Sequence, residues 1–267
     1  MEMFNLKGKV AVVTGATGAL GGSMARALAE AGCNIIIATR DKLNGDKLSD
    51  ELTKKYSIDV LVLIWEAMDS TSISKLATDS KNWKGHVDIL INNAGGVTDG
   101  MSSSKSGNFF ERTDEDLRHV LDVNLTSPIF CCREFGRIMK EQGYGKIINI
   151  ASITGVVGRD RRIYREAGYN EQMLEYAAAK GGLIAMTRDL AAILAPYGVN
   201  VNAISPGGFR HKTTEIFRKL YGDKTPLGRM GETETELQGA ALYLASSASD
   251  YVTGHNLMVD GGFTTWR

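Results

Sequence analysis

Short apolar, β-branched runs alternate with longer segments of helical period along the whole chain, and this alternation restricts the fold more than any other feature. The runs are KVAVVT (residues 9–14), NIIIA (34–38), IDVLVLI (58–64), VDILIN (87–92), KIINIA (146–151), VNVNAI (199–204) and a last one near 256–260. Helices are predicted after the first run, ending at Gly32, and over 42–55, 70–83, 113–140, 173–195 and 234–246. A strand with one wet face alternates polar and apolar residues, whereas these runs are apolar nearly throughout, as in parallel strands covered on both faces. Right-handed crossovers then give an α/β fold, a doubly wound parallel sheet of about seven strands with helices on both faces. No linker, tandem repeat or low-complexity segment interrupts the 267 residues, so one domain spanning 1–267 is expected.

The first run is followed by TGATGALGG, residues 14–22, and then by the alanine-rich SMARALAEAG. Glycine lets a chain turn sharply and approach a pyrophosphate, and the amides that open the next helix face the phosphate charge. Strand, glycine turn and helix in that order predict a nucleotide-binding domain of Rossmann type. Two stretches break the rhythm: GVTDGMSSSKSGNFFER (96–112) and GVVGRDRRIYREAGYNEQ (155–172). Both follow the C-terminal ends of strands, where open α/β sheets place their ligands.

Composition narrows the partners. Lysine plus arginine equals aspartate plus glutamate at 31 each, so no global field attracts nucleic acid or an anionic membrane. Three cysteines, two of them adjacent (Cys131, Cys132), make no disulfide framework, and the four scattered histidines predict no metal site. The apolar run near the start is too short for a signal peptide or a membrane span. A cytoplasmic protein acting on a small molecule is the expectation.

The glycine turn and five further elements, in order along the chain, resemble the short-chain dehydrogenase/reductase family. The turn keeps Thr14, Gly15 and Gly21 of the family's TGxxxGxG, with Ala19 where the middle glycine usually stands and an extra Gly18 one place earlier. Asn92-Asn93-Ala94-Gly95 matches NNAG, and Asn124 in DVNL matches the helix asparagine. Ser152 in NIAS matches the catalytic serine, Tyr176 and Lys180 match YxxxK, and Pro206-Gly207 matches the PG turn. The resemblance implies an oxidoreductase that interconverts a secondary alcohol and a ketone, with Asn124, Ser152, Tyr176 and Lys180 as its catalytic set. It also implies cofactor contacts at Gly15, Thr17, Gly18, Ala19, Leu20, Gly21, Asn93, Ala94, Gly95, Tyr176, Lys180, Pro206, Gly207 and Phe209.

Three tyrosines lie within 164–180, and residue chemistry separates them. Only Tyr176 has a lysine four positions on, which places Lys180 on the same helical face; Tyr164 and Tyr169 have Gly168 and Met173 there. An ammonium beside a phenol favours the phenolate, as a general acid/base near neutral pH requires.

The second strand ends IIIATRD, with Thr39 at the position where NAD enzymes of this type carry an acidic residue, and Arg40 next to it. A guanidinium suits a 2′-phosphate, so NADP(H) is favoured, while Asp41 leaves NAD(H) open. Glu66 and Ala67 align with the segment that lines the adenine. Ser152 and Tyr176 stand 24 positions apart, a longer separation than is usual in the family. The insertion near 156–172 and a lid near 208–230 are expected to rim the substrate. Arg161, Arg162, Tyr164, Arg210 and His211 are the candidate substrate residues, and their charge predicts an anionic substrate; the alternative is a solvated loop or a subunit contact.

The tail DGGFTTWR resembles sugar and sugar-acid members of the family, the gluconate 5-dehydrogenase-like ones among them, and implies a homo-tetramer or dimer. The substrate expected is a sugar acid or a related polyhydroxylated compound. A 3-oxoacyl-carrier-protein reductase is the competing enzyme, and a non-catalytic NADP(H) sensor the competing binding module.

Overall fold

The structure is a computed structural model that describes residues 2–96, 109–169 and 173–266. Most of the 96–112 stretch, and residues 170–172 of the insertion, therefore lie outside the described residues.

Seven parallel strands form one sheet: β1 (Val10–Thr14), β2 (Asn34–Thr39), β3 (Val60–Ile64), β4 (Ile89–Asn92), β5 (Gly145–Ile150), β6 (Val199–Pro206) and β7 (Asn256–Val259), in the order β3-β2-β1-β4-β5-β6-β7. The chain winds outward from β1 to β3, then crosses back to start again at β4. The crevice between β1 and β4 is the switch point at which such sheets bind ligands.

Helices α1 (Ala19–Glu30) and α2 (Lys42–Tyr56) cover one face, and α3 (Ser70–Lys84) the other. Met24, Leu28, Leu48 and Leu52 join Ile35 and Ile37 in the first core, while Ile73 and Leu76 join Val12, Ile36 and Leu90 in the second. This two-sided burial is why β1, β2 and β4 carry no polar face. Asp41 and Asp69 cap α2 and α3, accepting from Asn44 N at 3.0 Å and Thr71 N at 2.8 Å; such caps contribute about 1 kcal/mol each.

The predicted long helix over 113–140 is interrupted. Helix α4 (Asp114–Leu121), started by a Thr113–Asp116 capping box, runs into a π-helical turn at Asp122–Thr126, and α5 (Ser127–Gln142) continues from there. A π turn holds an extra residue and redirects the side chains within it; Asn124 sits inside this one and is buried.

The insertion is not plain loop. It folds as α6 (Arg161–Glu166), capped by Asp160, and leads into α7 (Leu174–Leu194). Beyond β6, α8 (Glu215–Gly222) follows, and α9 (Gln238–Ala245) returns to pack on α1. Ile163 of α6 and Phe217 and Tyr221 of α8 form a small core with Ile153, Met230 and Phe263, separate from the two that flank the sheet. Tyr164 and Tyr169 each place a ring 5.0 Å from Phe217, and the Tyr169 hydroxyl accepts from Thr214 N at 2.8 Å. These two tyrosines bind the insertion to the segment after β6.

Candidate active site

The glycine turn between β1 and α1 is shaped by steric demands at two of its glycines. Gly15 has φ +64°, a left-handed conformation that favours glycine. A Cβ on Gly21 would land on the Gly15 carbonyl oxygen and 2.6 Å from Asn93 Nδ2. Asn93 Nδ2 donates to the carbonyls of Thr14 at 3.0 Å and Gly15 at 3.1 Å, and Thr14 Oγ1 accepts from the amides of Asn93 and Ala94, both at 3.0 Å. TGxxxGxG and NNAG are thus one latch joining the ends of β1 and β4. Gly18 is exposed, caps α1 with an ordinary φ of −77°, and would meet only the Gly15 oxygen at 3.3 Å through an added Cβ. The substitution at Ala19 leaves a regular helix start behind it.

Four residues implied by the resemblance converge beyond this latch. Ser152 ends the connection from β5, and Tyr176 and Lys180 lie one turn apart on α7. Lys180 Nζ donates to the Ile150 carbonyl at 2.8 Å and stands 5.5 Å from the Tyr176 ring centroid. Burial brings the Lys180 ammonium down to about 8. Burial also pushes the Tyr176 phenol up, while the Arg159 guanidinium and a hydrogen bond with Ser152 pull it back. Ser152 Oγ in turn accepts from Thr154 Oγ1 at 3.0 Å. The Asn124 side chain accepts from Gly96 N at 2.7 Å and donates to the carbonyls of Gly96 at 3.1 Å and Val120 at 3.0 Å. It clamps the turn after NNAG, and a Cβ on Gly95 would lie 2.7 Å from its oxygen.

Just before Tyr176, Glu175 forms a buried ion pair with Arg112 at 2.5 Å, with side chains 6% and 4% exposed, which ties the start of α4 to the start of α7. Losing either partner would leave the other buried alone, and both Glu175 oxygens and Arg112 Nε and Nη2 are buried without a hydrogen-bond partner among the described residues.

One cavity of about 1020 Å³ joins the latch to these groups. It is lined by every cofactor residue expected from the sequence and, of the catalytic set, by Ser152, Tyr176 and Lys180; Asn124 stands behind the wall. At its far end Thr39 Oγ1 bonds Thr17 Oγ1 at 2.9 Å, and Arg40 lines the mouth. The Asp41 carboxylate is occupied by Asn44, through the backbone amide and through Nδ2 at 2.5 Å.

The expected substrate residues divide. His211 lines the cavity; Arg161, Arg162, Tyr164 and Arg210 do not. The Arg162 side chain is 76% exposed and pairs with Asp160 at 2.8 Å. Arg210 pairs with Glu232 at 2.9 Å and borders a second depression behind the glycine turn, and Tyr164 packs on Phe217. Trp65, Met68, His119 and Val123 line the cavity without having been singled out in the sequence. Trp65 and Met68 flank Glu66 and Ala67 and were within reach by adjacency; His119 and Val123 enter only because α4 is folded against α7.

Comparison with known proteins agrees with this geometry. A family model described as enoyl-(acyl carrier protein) reductase matches residues 15–264. The NADP-dependent mannitol dehydrogenase of Hypocrea jecorina is 34% identical over 99% of this chain and 96% of its own. The 3-oxoacyl-[acyl-carrier-protein] reductase of Aquifex aeolicus is 33% identical over 96% and 98%. Among solved structures, a gluconate 5-dehydrogenase from Burkholderia cenocepacia in complex with NADP and tartrate superposes with a TM-score of 0.87 at 30% identity, covering 99% of this chain and 98% of that one. The chain belongs to the short-chain dehydrogenase/reductase family. It is an oxidoreductase of that family, acting on CH–OH groups.

Proposed function

We propose that the enzyme interconverts a secondary alcohol and a ketone with NADP(H), on a sugar acid or related polyhydroxylated substrate. The observation that carries this reading is the single cavity with Arg40 and the glycine latch at one end and Ser152, Tyr176 and Lys180 at the other. The residues fit a dinucleotide: the glycine turn, whose tight closure on the β4 latch leaves no space for a side chain at Gly15 or Gly21, lines the cavity together with the first residues of α1, whose amides suit a pyrophosphate. Arg40 suits a 2′-phosphate, and the Asp41 carboxylate beside it is engaged by Asn44 as a helix cap. The NADP-dependent relative and the NADP-bound neighbour support the same choice.

The cofactor supplies or accepts the hydride. The chain does the rest. Ser152 Oγ donates to the substrate oxygen and fixes it beside Tyr176. Tyr176 Oη takes the alcohol proton in oxidation and returns it in reduction. Lys180 keeps positive charge near the phenol, and Asn124 holds the Gly95–Gly96 turn over the ammonium. The sugar-acid side of the proposal is supported by the tail, by the gluconate 5-dehydrogenase neighbour and by a 2-dehydro-3-deoxy-D-gluconate 5-dehydrogenase of Formosa agariphila, 32% identical over 98% of this chain.

The carrier-protein relative and the family model's description favour a second reading, reduction of a 3-oxoacyl thioester. The same proposal takes residues 1–267 as one domain, with the 156–172 insertion and the 208–230 lid closing the substrate end, in a cytoplasmic homo-tetramer or dimer; light scattering tests the oligomer. No described helix is long and apolar enough to cross a membrane. The deciding experiment is a screen of sugar acids, polyols and acyl thioesters, following reduced nicotinamide by absorbance with NADP(H) and NAD(H) in parallel. Turnover of a polyhydroxylated acid with NADP(H) is expected; turnover of acyl thioesters alone would install the second reading.

A further inference from the structure

We propose that Arg159 is a positioning residue for Tyr176, a second cation that the insertion supplies to favour the phenolate. The inference rests on Tyr176 as the proton-transfer group of the reaction proposed above. The Arg159 Cζ lies 5.4 Å from the Tyr176 ring centroid, and Nη1 donates to the Met173 carbonyl at 3.0 Å. Met173 caps α7, the helix that carries Tyr176. One guanidinium therefore touches both the ring and the start of its helix.

The charges around the phenol make this cation matter. Lys180 stands at nearly the same distance, 5.5 Å, but its ammonium is down to about 8 and is given to the Ile150 carbonyl. Burial thus works against its charge. Burial lowers Arg159 as well, yet a guanidinium starts far higher and stays charged throughout. Glu175, the carboxylate nearest in sequence to the ring, is matched by Arg112 across their buried pair. Asp160, next to Arg159, is taken by Arg162 at 2.8 Å and Lys224 at 3.0 Å. Tyr164, from α6, is a neutral phenol whose own ionisation burial opposes. Ser152 contributes a hydrogen bond. A cation over an aromatic ring interacts more favourably once the ring bears negative charge, and burial strengthens the effect. The long separation of Ser152 and Tyr176 thereby gains a chemical role: it delivers a permanent charge to the proton-transfer group.

The test separates charge from stapling. Arg159→Gln keeps a donor for the Met173 carbonyl and removes the charge; Arg159→Met is a second neutral variant, and Arg159→Lys keeps the charge. Tyr176 ionisation is read as tyrosinate absorbance against pH, with the titration of Tyr176→Phe subtracted, so no substrate is needed. Arg159→Gln or Arg159→Met should raise the Tyr176 pKa by about one unit, and Arg159→Lys by clearly less. Once a substrate is in hand, the acid limb of kcat/KM for alcohol oxidation should move up by the same amount. That is about a tenfold loss below the limb. Ketone reduction, which uses the phenol, should persist to higher pH. An unmoved tyrosinate titration in a neutral variant of unchanged Tm overturns the proposal, as does a lysine variant that shifts as far as glutamine. Failure of the substrate screen would strike the reading of the reaction and leave the optical titration to decide on Arg159.

Discussion

The two ends of the cavity are built in different ways. The cofactor end is a latch of backbone carbonyls, short polar side chains and glycines, made between the ends of adjacent strands β1 and β4. Beside the other end, next to Ser152, α6 and α8 form a separate cap, meeting through Ile163, Phe217 and Tyr221 in a small core with Ile153. A latch of the first kind is dictated by what the backbone permits. A cap of the second kind depends on which side chains reach one another across long stretches of sequence.

This contrast can be broken or sharpened by substitution. The largest effect is expected between the two ends, at Tyr176→Phe: turnover should fall by ~10³-fold while the dissociation constant for NADP(H), read by fluorescence, stays put. Loss of cofactor binding together with turnover would show that the two ends are not separable. At the latch, Gly21→Ala should destabilise by about 1–3 kcal/mol and weaken cofactor binding, since its Cβ meets backbone and the Asn93 amide that cannot both retreat. Gly18→Ala, three residues away, should cost about 0.5 kcal/mol as a poorer helix cap and leave binding intact. Thermal melts with and without NADP(H) check the pair; equal effects would refute the steric account of the turn.

Arg40→Ala should raise the KM for NADP(H) by ~10- to 100-fold and leave that for NAD(H) little changed, the loss of one charge-assisted contact. The ratio of kcat/KM values for the two cofactors reads it directly, and an unchanged ratio would move the 2′-phosphate elsewhere. A modest effect belongs to the cap. Tyr169→Phe removes the acceptor for Thr214 N and should cost about 1 kcal/mol in Tm-derived stability, with a raised KM for substrate and unaltered cofactor affinity.

Local pattern carried most of the architecture. The β-branched runs became strands in parallel register, with edges displaced by a residue or two, and the spacing of Tyr176 and Lys180 put both on one face of α7 because four residues are about one turn. Asn124 was legible as a site residue from the family motif, but the π turn that aims it was not, since a single extra residue in a helix leaves no periodic trace. The arginines of the insertion were visible as a group. Which one faced the chemistry was not: Arg162 turned outward to Asp160 and Arg159 inward to Tyr176, and nothing in RDRR separates them.

By itself, then, the amino-acid sequence determined the sheet, the glycine turn and the placing of Tyr176 and Lys180 on one helical face, because these rest on backbone sterics and on spacings shorter than one element, while Ser152 was singled out by the family motif. Tertiary structure alone decided that Tyr164 and Tyr169 are packing residues, that Arg112 and Glu175 form a dry pair, and that the Asp41 carboxylate, at the cavity's edge, is engaged as a helix cap. Each of those outcomes turns on partners far apart in the chain or on a choice between rotamers, and burial settles such choices only once the elements have met.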